Sequence, residues 1–256
     1  MCELLGMSAN VPTDIRFSFS GLMERGGSTG PHGDGWGIAF YEGKGCRTFH
    51  DPGPSADSEI ARMVRRYPIK SHVVVCHIRR ATNGRVCLEN THPFTRELWG
   101  RTWAFAHNGA LKGIKRWPLK FYKPIGTTDS EHAFCWVLDQ LRARYARPPK
   151  PGRTVVRMVR RLLARIDGLG SFNVLLSDSR YLYAHCSSNL AWLTRRAPFG
   201  KASLIDTEMT VDFAKETTPR DVVTVIATRP LTHDESWTVM KRASLTVFHN
   251  GLPVNA

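Results

Sequence analysis

Apolar and polar residues along the chain follow two periods, which predict strands near both ends and helices between them. Short apolar runs rich in valine and aromatic residues predict strands at 71–78, 102–107, 171–178, 180–186, 221–228 and 244–250. The segments WGIAFY (36–41) and CRTFH (46–50) predict a hairpin around EGKG. The density of apolar residues in 71–78 and 102–107 indicates that both faces of these strands are buried.

A helical spacing of apolar residues predicts four helices, at 13–24, at 55–66, from 129 onward and at 154–166. We expect Thr13 and Asp14 to open the first helix, and Thr128 or Asp129 to cap the third. The residues expected to face the core are Ile60, Met63 and Val64, then Phe134, Val137, Leu138, Leu141 and Tyr145, then Val155, Val159, Leu162 and Ile166. The order of strands, two helices and strands favours two packed sheets flanked by helices over alternating βαβ units.

The amount of apolar sequence suits one globular unit. Of the 256 residues, 42% are hydrophobic, which suffices for one substantial core or at most two small ones. We expect a single domain over 1–256. The sequence contains no run of about 18 apolar residues, so it predicts no membrane span. The N-terminal segment lacks a charged start followed by an apolar stretch, so we expect no signal or transit peptide and a cytoplasmic protein.

Positive charge exceeds negative charge along the chain. Lysine and arginine number 36 and aspartate and glutamate 22, a formal charge of +14 that is compatible with nucleic acid, anionic membranes or anionic small molecules. Five arginines lie in the predicted helix 153–166, at 153, 157, 160, 161 and 165. Because no zinc-finger, RNA-recognition or helix-turn-helix signature accompanies them, we favour a solvated helix face over a surface for RNA, a membrane or an acidic partner.

The cysteines and histidines do not have the spacing of a metal site. None of the six cysteines forms a C-x-x-C pair, and the histidines show no H-x-x-x-H spacing. We therefore expect neither a metal ion nor another cofactor.

Cys2 has the chemistry of a nucleophile if Met1 is removed. Methionine aminopeptidase removes the initiator when the next residue is small, and cysteine qualifies. Cys2 would then carry a thiol and a free α-amine, whose pKa of about 8 lets it accept the thiol proton directly or through one water. Taken alone, however, a cysteine at position 2 is more often incidental.

The segment AHNG (106–109) offers two hydrogen-bond donors at the end of a predicted strand. The Asn108 side-chain amide and the Gly109 backbone N–H can stabilise the oxyanion that forms during acyl transfer. A simple Asn-Gly turn is the alternative interpretation.

Two other segments carry charges suited to a zwitterionic substrate. In HIRRATNG (77–84), Arg79 and Arg80 both have the chemistry to bind a carboxylate through two hydrogen bonds, or they form a solvated basic pair. In TTDSE (127–131), Asp129 can bind an ammonium group or cap the helix, and capping is the better interpretation from these residues alone.

These motifs occur in a fixed order in the first half of the chain. The blocks are Cys2 after Met1, HGDGWG (32–37), HIRRATNG with NTHPF (90–94), AHNG and TDSE (128–131). Each is weak alone, but the ordered set is specific. It resembles the class II glutamine amidotransferases, the glutaminase module of the Ntn-hydrolase fold. The second half, through SFNVLLSD and VVTVIATRPLT, resembles the stand-alone bacterial branch of that family more loosely.

The resemblance implies a fold and a set of roles. The fold is an α+β, four-layer αββα sandwich of two mainly antiparallel sheets flanked by helices. The implied roles are a nucleophile that forms a γ-glutamyl thioester (Cys2), an oxyanion hole (Asn108 and Gly109), a carboxylate-binding arginine (Arg79), an amine-binding carboxylate (Asp129) and pocket-lining side chains (Thr82 and His92).

Three functions remain open at the level of the sequence. The first is a stand-alone glutaminase or γ-glutamyl amidohydrolase that releases ammonia or an amine from a small molecule. The second is a glutaminase subunit that supplies ammonia to a separate synthase, because no synthase signature is present. Arg80 stands where synthase-coupled members often carry an aromatic residue, which weakens any inferred channelling role. The third, a non-enzymatic basic protein that binds nucleic acid, is the least favoured.

Overall fold

The computed structural model describes residues 2–82, 84–150, 152–213 and 218–254. Met1, whose removal the sequence predicts, and Asn83 of HIRRATNG lie outside this range. The helices are α1 (Arg16–Glu24), α2 (Glu59–Arg66), α3 (Asp129–Arg144) and α4 (Arg153–Asp167). The strands are β1 (Glu3–Asp14), β2 (Trp36–Glu42), β3 (Gly45–Asp51), β4 (Lys70–Ile78), β5 (Phe94–Leu98), β6 (Arg101–Leu111), β7 (Gly170–Ser177), β8 (Leu182–Cys186), β9 (Ala191–Arg196), β10 (Lys201–Ser203), β11 (Thr210–Asp212), β12 (Val222–Ala227), β13 (Thr238–Val239), β14 (Ser244–His249) and β15 (Leu252–Pro253).

Two large antiparallel sheets form the centre of the molecule. Over the described residues, one sheet has the strand order β13-β9-β12-β1-β4-β2-β3 and the other has the order β15-β14-β8-β7-β6-β5. A small ribbon pairs β10 with β11. The first strand of the chain is central, because β1 pairs with β12 on one side and with β4 on the other. Its register places Glu3 opposite Ile78, so the N-terminus lies beside the end of β4.

Successive residues of the central strands pack into different layers. Leu4 packs between the two sheets, whereas Leu5 packs with the residues of α1 and α2. Ala106 likewise lies between the sheets, whereas Phe105 packs with those of α3 and α4. Because side chains of a strand alternate between its two faces, this pattern stacks the sheets face to face and puts the helices outside. The predicted αββα arrangement is confirmed.

The structure differs from the sequence prediction in the first quarter of the chain. Residues 13 and 14, predicted to open a helix, end β1 instead, and α1 begins after Asp14 accepts a hydrogen bond from Arg16 N at 2.8 Å. The helix predicted at 55–66 begins at Glu59. Of its expected core residues, Val64 is buried, but Ile60 and Met63 are 39% and 46% exposed.

The two later helices agree with the pattern more closely. Thr128 caps α3, and its hydroxyl accepts from Glu131 N at 3.1 Å. The four core positions predicted in α4 are all buried, while its five arginines are exposed. Tyr145, predicted on the core face, follows the last turn of α3 and is half-buried. Within the described ranges, no helix combines the length and the apolar character needed to cross a membrane.

Candidate active site

Cys2 is fixed by contacts on both sides of its backbone and at its sulfur. Its N–H donates to Asn108 Oδ1 at 3.1 Å, and its carbonyl accepts from Asn108 Nδ2 at 2.6 Å. The sulfur lies against the main chain of Arg80, whose N–H donates to Sγ at 3.3 Å and whose carbonyl accepts from the thiol at 3.4 Å. Burial raises the pKa of the Cys2 thiol, and the Arg80 N–H lowers it less strongly. The thiol is therefore protonated near neutral pH.

Asn108 and Gly109 lie within β6 rather than in a turn. In the pairing of β6 with β7, Asn108 stands opposite Asn173, whose Nδ2 donates to the Asn108 carbonyl at 3.3 Å. Gly109 has φ +153°, and a Cβ there would lie 1.8 Å from the Ser171 carbonyl oxygen. Glycine is required because the backbone conformation and the neighbouring strand both exclude a side chain. The simple Asn-Gly turn considered for AHNG is therefore wrong.

Arg79 follows the end of β4, and Asp34 of the HGDGWG segment (32–37) holds the backbone on both sides of it. Asp34 N donates to the Arg79 carbonyl at 3.1 Å, and Ala81 N donates to the Asp34 carboxylate at 2.8 Å. The guanidinium is buried and donates to the carbonyls of Arg85 at 3.0 Å and Gly84 at 3.4 Å. These carbonyl oxygens are uncharged, so they orient the guanidinium without neutralising its positive charge. The neighbouring Arg80 side chain is exposed.

Asp129 connects the first turn of α3 to β6. Its Oδ2 accepts from Leu111 N at 2.7 Å and its Oδ1 accepts from Ser130 N at 2.9 Å. Because Thr128 is the N-cap, Asp129 is not needed for capping. Ser130 Oγ also lies 3.4 Å from Oδ1, but a carboxylate presents about four acceptor positions, so capacity for a ligand donor remains.

The His107 ring contacts the first turn of α3 through Ser130. Its Nε2 lies 3.0 Å from the Ser171 carbonyl, and its Nδ1 lies 2.8 Å from Ser130 Oγ. A carbonyl can only accept, so Nε2 carries the proton and Nδ1 accepts from the serine hydroxyl. Burial lowers the pKa of His107, which agrees with a neutral ring.

Two further buried histidines lie side by side. The rings of His77 and His92 are 4.3 Å apart, and Phe94 is at the same distance from His92. Within the described part of the chain, none of the four ring nitrogens of the two histidines has a hydrogen-bond partner. Burial lowers the pKa of His77 to about 3, so both rings resist protonation. The described residues contain no group of three or more histidine, cysteine, aspartate or glutamate side chains that could hold a metal ion.

These groups surround one small pocket. Its lining comprises Cys2, Arg79, Arg80, Ala81, Thr82, His92, His107, Gly109, Ala110, Thr128, Asp129 and Ser130. Six of the seven residues predicted from the sequence line this pocket, and the seventh, Asn108, bonds directly to Cys2. Thr82 is exposed, whereas His92 and Asn108 are buried.

Sequence reasoning missed the groups that position these residues. The Arg80 backbone at the sulfur, the Asp34 carboxylate and the His107–Ser130 pair carry no recognisable spacing. Nothing in the HGDGWG block indicated that Asp34 would accept a hydrogen bond from the Ala81 N–H.

Comparison with known proteins places this geometry in a family. The family model described as class-II glutamine amidotransferases matches residues 1–256. The chain is 62% identical over 237 residues to a protein of Escherichia coli K12 named "Putative glutamine amidotransferase YafJ", covering 93% of each. A crystal structure described as a "predicted glutamine amidotransferase from Pseudomonas aeruginosa PA01" has a TM-score of 0.80 at 52% identity and covers 100% of both chains.

A more distant structure shares the fold. The glutamine phosphoribosylpyrophosphate amidotransferase of B. subtilis matches with a TM-score of 0.62 at 13% identity, covering 99% of this chain and 48% of that one. The match of the family model over the whole chain, together with the close relatives, shows that this protein belongs to the class II glutamine amidotransferases.

Proposed function

We propose that the protein hydrolyses the γ-amide of glutamine or of a close γ-glutamyl compound, with Cys2 as the nucleophile after Met1 is removed. The observation that carries this proposal is the shared pocket of a thiol, a buried guanidinium, a carboxylate and Gly109. These are the groups needed to bind an amino acid by its two charged α-substituents and to attack an amide carbonyl beyond them.

Removal of Met1 supplies the base that the thiol needs. While Met1 is attached, Cys2 N is an amide nitrogen and cannot accept a proton. Because burial raises the pKa of the thiol, spontaneous ionisation contributes little at neutral pH. A free α-amine with a pKa of about 8 can take the thiol proton. The 3.1 Å bond to Asn108 Oδ1 would then orient this amine.

The two charged side chains act as anchors for the substrate. The Arg79 guanidinium pairs with the substrate α-carboxylate, and Asp129 accepts hydrogen bonds from its α-ammonium group. Thr82 and His92 line the remaining walls. Because the positive Arg79 and the negative Asp129 bind two substituents of the same carbon, they select an α-amino acid. Together they hold its γ-carbonyl in a defined position near the sulfur.

The chemistry then proceeds in two balanced steps. The sulfur attacks the γ-carbonyl, and the oxyanion is stabilised by the Gly109 N–H and by the second hydrogen of Asn108 Nδ2, whose first hydrogen binds the Cys2 carbonyl. The C–N bond breaks, the α-ammonium of Cys2 returns the proton to the leaving nitrogen, and ammonia departs. Water then attacks the thioester, which releases the γ-carboxylate and restores the thiol.

The test compares three proteins produced with a native start codon. We expect the unsubstituted protein to lack Met1 by intact mass and to release ammonia from glutamine. Cys2→Ala, whose Met1 is also removable, should lose this activity entirely. Cys87→Ala is the matched control, because that cysteine is also partly exposed but does not line the pocket, and it should retain activity. Ammonia release by Cys2→Ala at the rate of the unsubstituted protein would refute the proposal.

The second candidate is a glutaminase subunit that supplies ammonia to a separate synthase. One observation favours considering it: this fold accounts for 48% of the B. subtilis amidotransferase chain, so related modules occur beside additional sequence. This candidate predicts slow ammonia release that rises when a co-purifying synthase is added. Rapid turnover by the isolated protein, unchanged by every co-purifying protein, would count against it.

A further inference from the structure

A second cavity, of about 420 Å³, lies between the two sheets at the end opposite Cys2. His72 on β4 and Arg101 on β6 both line it. His72 precedes Ile78, beside the N-terminus, by six residues, and Arg101 precedes Asn108 by seven. At about 3.3 Å per strand residue, the cavity is roughly 20 Å from the catalytic pocket. It is therefore a separate site rather than an extension of the glutamine pocket.

The lining of this cavity is cationic. The basic side chains of Lys44, Arg101 and Arg180 border it together with the imidazoles of His72 and His249, and its lining includes no aspartate or glutamate. Among the residues that the structure describes, no carboxylate lies within 4 Å of the three cationic groups. Like charges gathered in a concave site repel one another and create a positive potential that attracts anions.

The carboxylate of Asp178 interacts with the charge of Arg101 but does not line the cavity. Asp178 accepts from Arg180 N at 3.0 Å and from Tyr181 N at 2.7 Å, and it is buried. Burial raises the pKa of Asp178, and the Tyr181 and Arg180 N–H groups, followed by the charge of Arg101, offset this only in part. Asp178 thus stabilises the β7–β8 turn through the backbone rather than neutralising the cavity.

Several lining groups are held in place before any ligand arrives. Arg101 donates to Ser179 Oγ at 2.9 Å. His249 Nδ1 donates to the Arg180 carbonyl at 3.0 Å, and His72 Nδ1 donates to the Ala9 carbonyl at 3.2 Å. Because these groups come from turns and strand ends of both sheets, their spacing is set by the sandwich. Preorganised donors lose little entropy when they bind an anion.

We propose that this cavity binds a small phosphate-bearing molecule. Phosphate matches the chemistry because it offers several charged oxygens to the guanidinium and ammonium groups of the lining, whereas one carboxylate offers two. The volume lies within the range of small-molecule sites, about 300–1,000 Å³. The concave shape favours a compact ligand over a nucleic-acid backbone, which would follow an extended surface.

The test measures binding of inorganic pyrophosphate to the full chain by calorimetry at constant ionic strength, near 0.15 M. We expect saturable binding of one pyrophosphate per chain. Lys44→Gln/Arg180→Gln removes two cationic contacts and should weaken binding by about 100-fold. The matched control is Arg157→Gln/Arg161→Gln, which removes the same charge from the exposed face of α4 and should change affinity less than about twofold.

Each other outcome overturns the proposal. Equal weakening by both double variants would mean that net charge, and not the cavity, attracts the anion. Absence of saturable binding to the unsubstituted protein would remove the site. Binding of a single-stranded oligonucleotide but not of pyrophosphate would mean that the phosphate source is nucleic acid. None of these measurements depends on ammonia release, so the site can fail while the proposed hydrolysis stands, and the reverse also holds.

Discussion

Replacement of Asn108 by alanine tests how the N-terminal residue is held and how the oxyanion is stabilised. The side chain is fully buried and makes two bonds to Cys2, one to its N–H at 3.1 Å and one to its carbonyl at 2.6 Å. Asn108→Ala removes both bonds and also removes the proposed donor to the oxyanion. The bond from Asn173 Nδ2 to the Asn108 backbone carbonyl does not involve the lost side chain.

The structure permits separate estimates for stability and for rate. Two lost hydrogen bonds at about 1 kcal/mol each lower the free energy of unfolding by about 2 kcal/mol. For a chain of 256 residues this corresponds to a fall in Tm of roughly 4–8 °C. Loss of one oxyanion donor lowers kcat by about 10²–10³-fold. KM should change little, because the donor acts mainly on charge that develops in the transition state.

The assay combines thermal unfolding with steady-state ammonia release from glutamine. Asn10→Ala is the matched control, because its side chain also makes two bonds to backbone, to the Arg220 carbonyl at 2.8 Å and from Val222 N at 2.8 Å. Asn10 lies on β1 and does not line the pocket, so Tm should fall while kcat is retained. If Asn108→Ala kept kcat within about threefold of the unsubstituted protein, the oxyanion role would be refuted, and only the structural role would survive.

Three further outcomes follow from the site. Arg79→Lys should raise KM for glutamine by about 10–100-fold and change kcat less, because lysine cannot bind a carboxylate in the bidentate manner; an unchanged KM would contradict the anchor role. Gly109→Ala should lower the free energy of unfolding by about 3 kcal/mol or more, measured by urea titration, since its Cβ would lie 1.8 Å from the Ser171 oxygen. His77 has its pKa lowered to about 3 in the folded state, so the unfolded chain binds more protons below pH 6.5. Its contribution to stability is present above that pH and is lost as pH falls toward 3, by about 2 kcal/mol at pH 5. His77→Gln should make the urea-derived stability less dependent on pH between 7 and 5, and an identical slope would exclude the effect.

The accuracy of the fold prediction varied with how strongly local pattern constrained each element. The hairpin of β2 and β3 and the strands β4, β7 and β14 were predicted because their apolar runs are short and bounded by polar residues. The helix α4 was predicted because its apolar positions recur with a helical period. By contrast, β1 was missed: its sequence ELLGMSANVPTD lacks a regular alternation, and its extended conformation is stabilised by pairing with β4 and β12.

The prediction for α2 illustrates a second limit. Ile60, Met63 and Val64 share a helical face in the sequence, yet Ile60 and Met63 are partly exposed and Ala61 is buried beside Val64. Which face a short helix buries depends on the position of the sheet against which it packs. Amphipathic spacing alone does not specify that position when the helix spans only two turns.

The sequence by itself determined the chemical groups of the site and the family to which the chain belongs. A thiol at position 2, an arginine after a strand, an Asn-Gly pair and an aspartate at a helix start are properties of the covalent chain, and their order was sufficient for the resemblance. Tertiary structure decided which of these groups meet. The central position of β1 between β4 and β12 places Cys2 beside Arg80, and the pairing of β6 with β7 places Asn108 where it holds Cys2. Pairing between strands that are far apart in the sequence depends on the packing of whole sheets, which no local pattern contains.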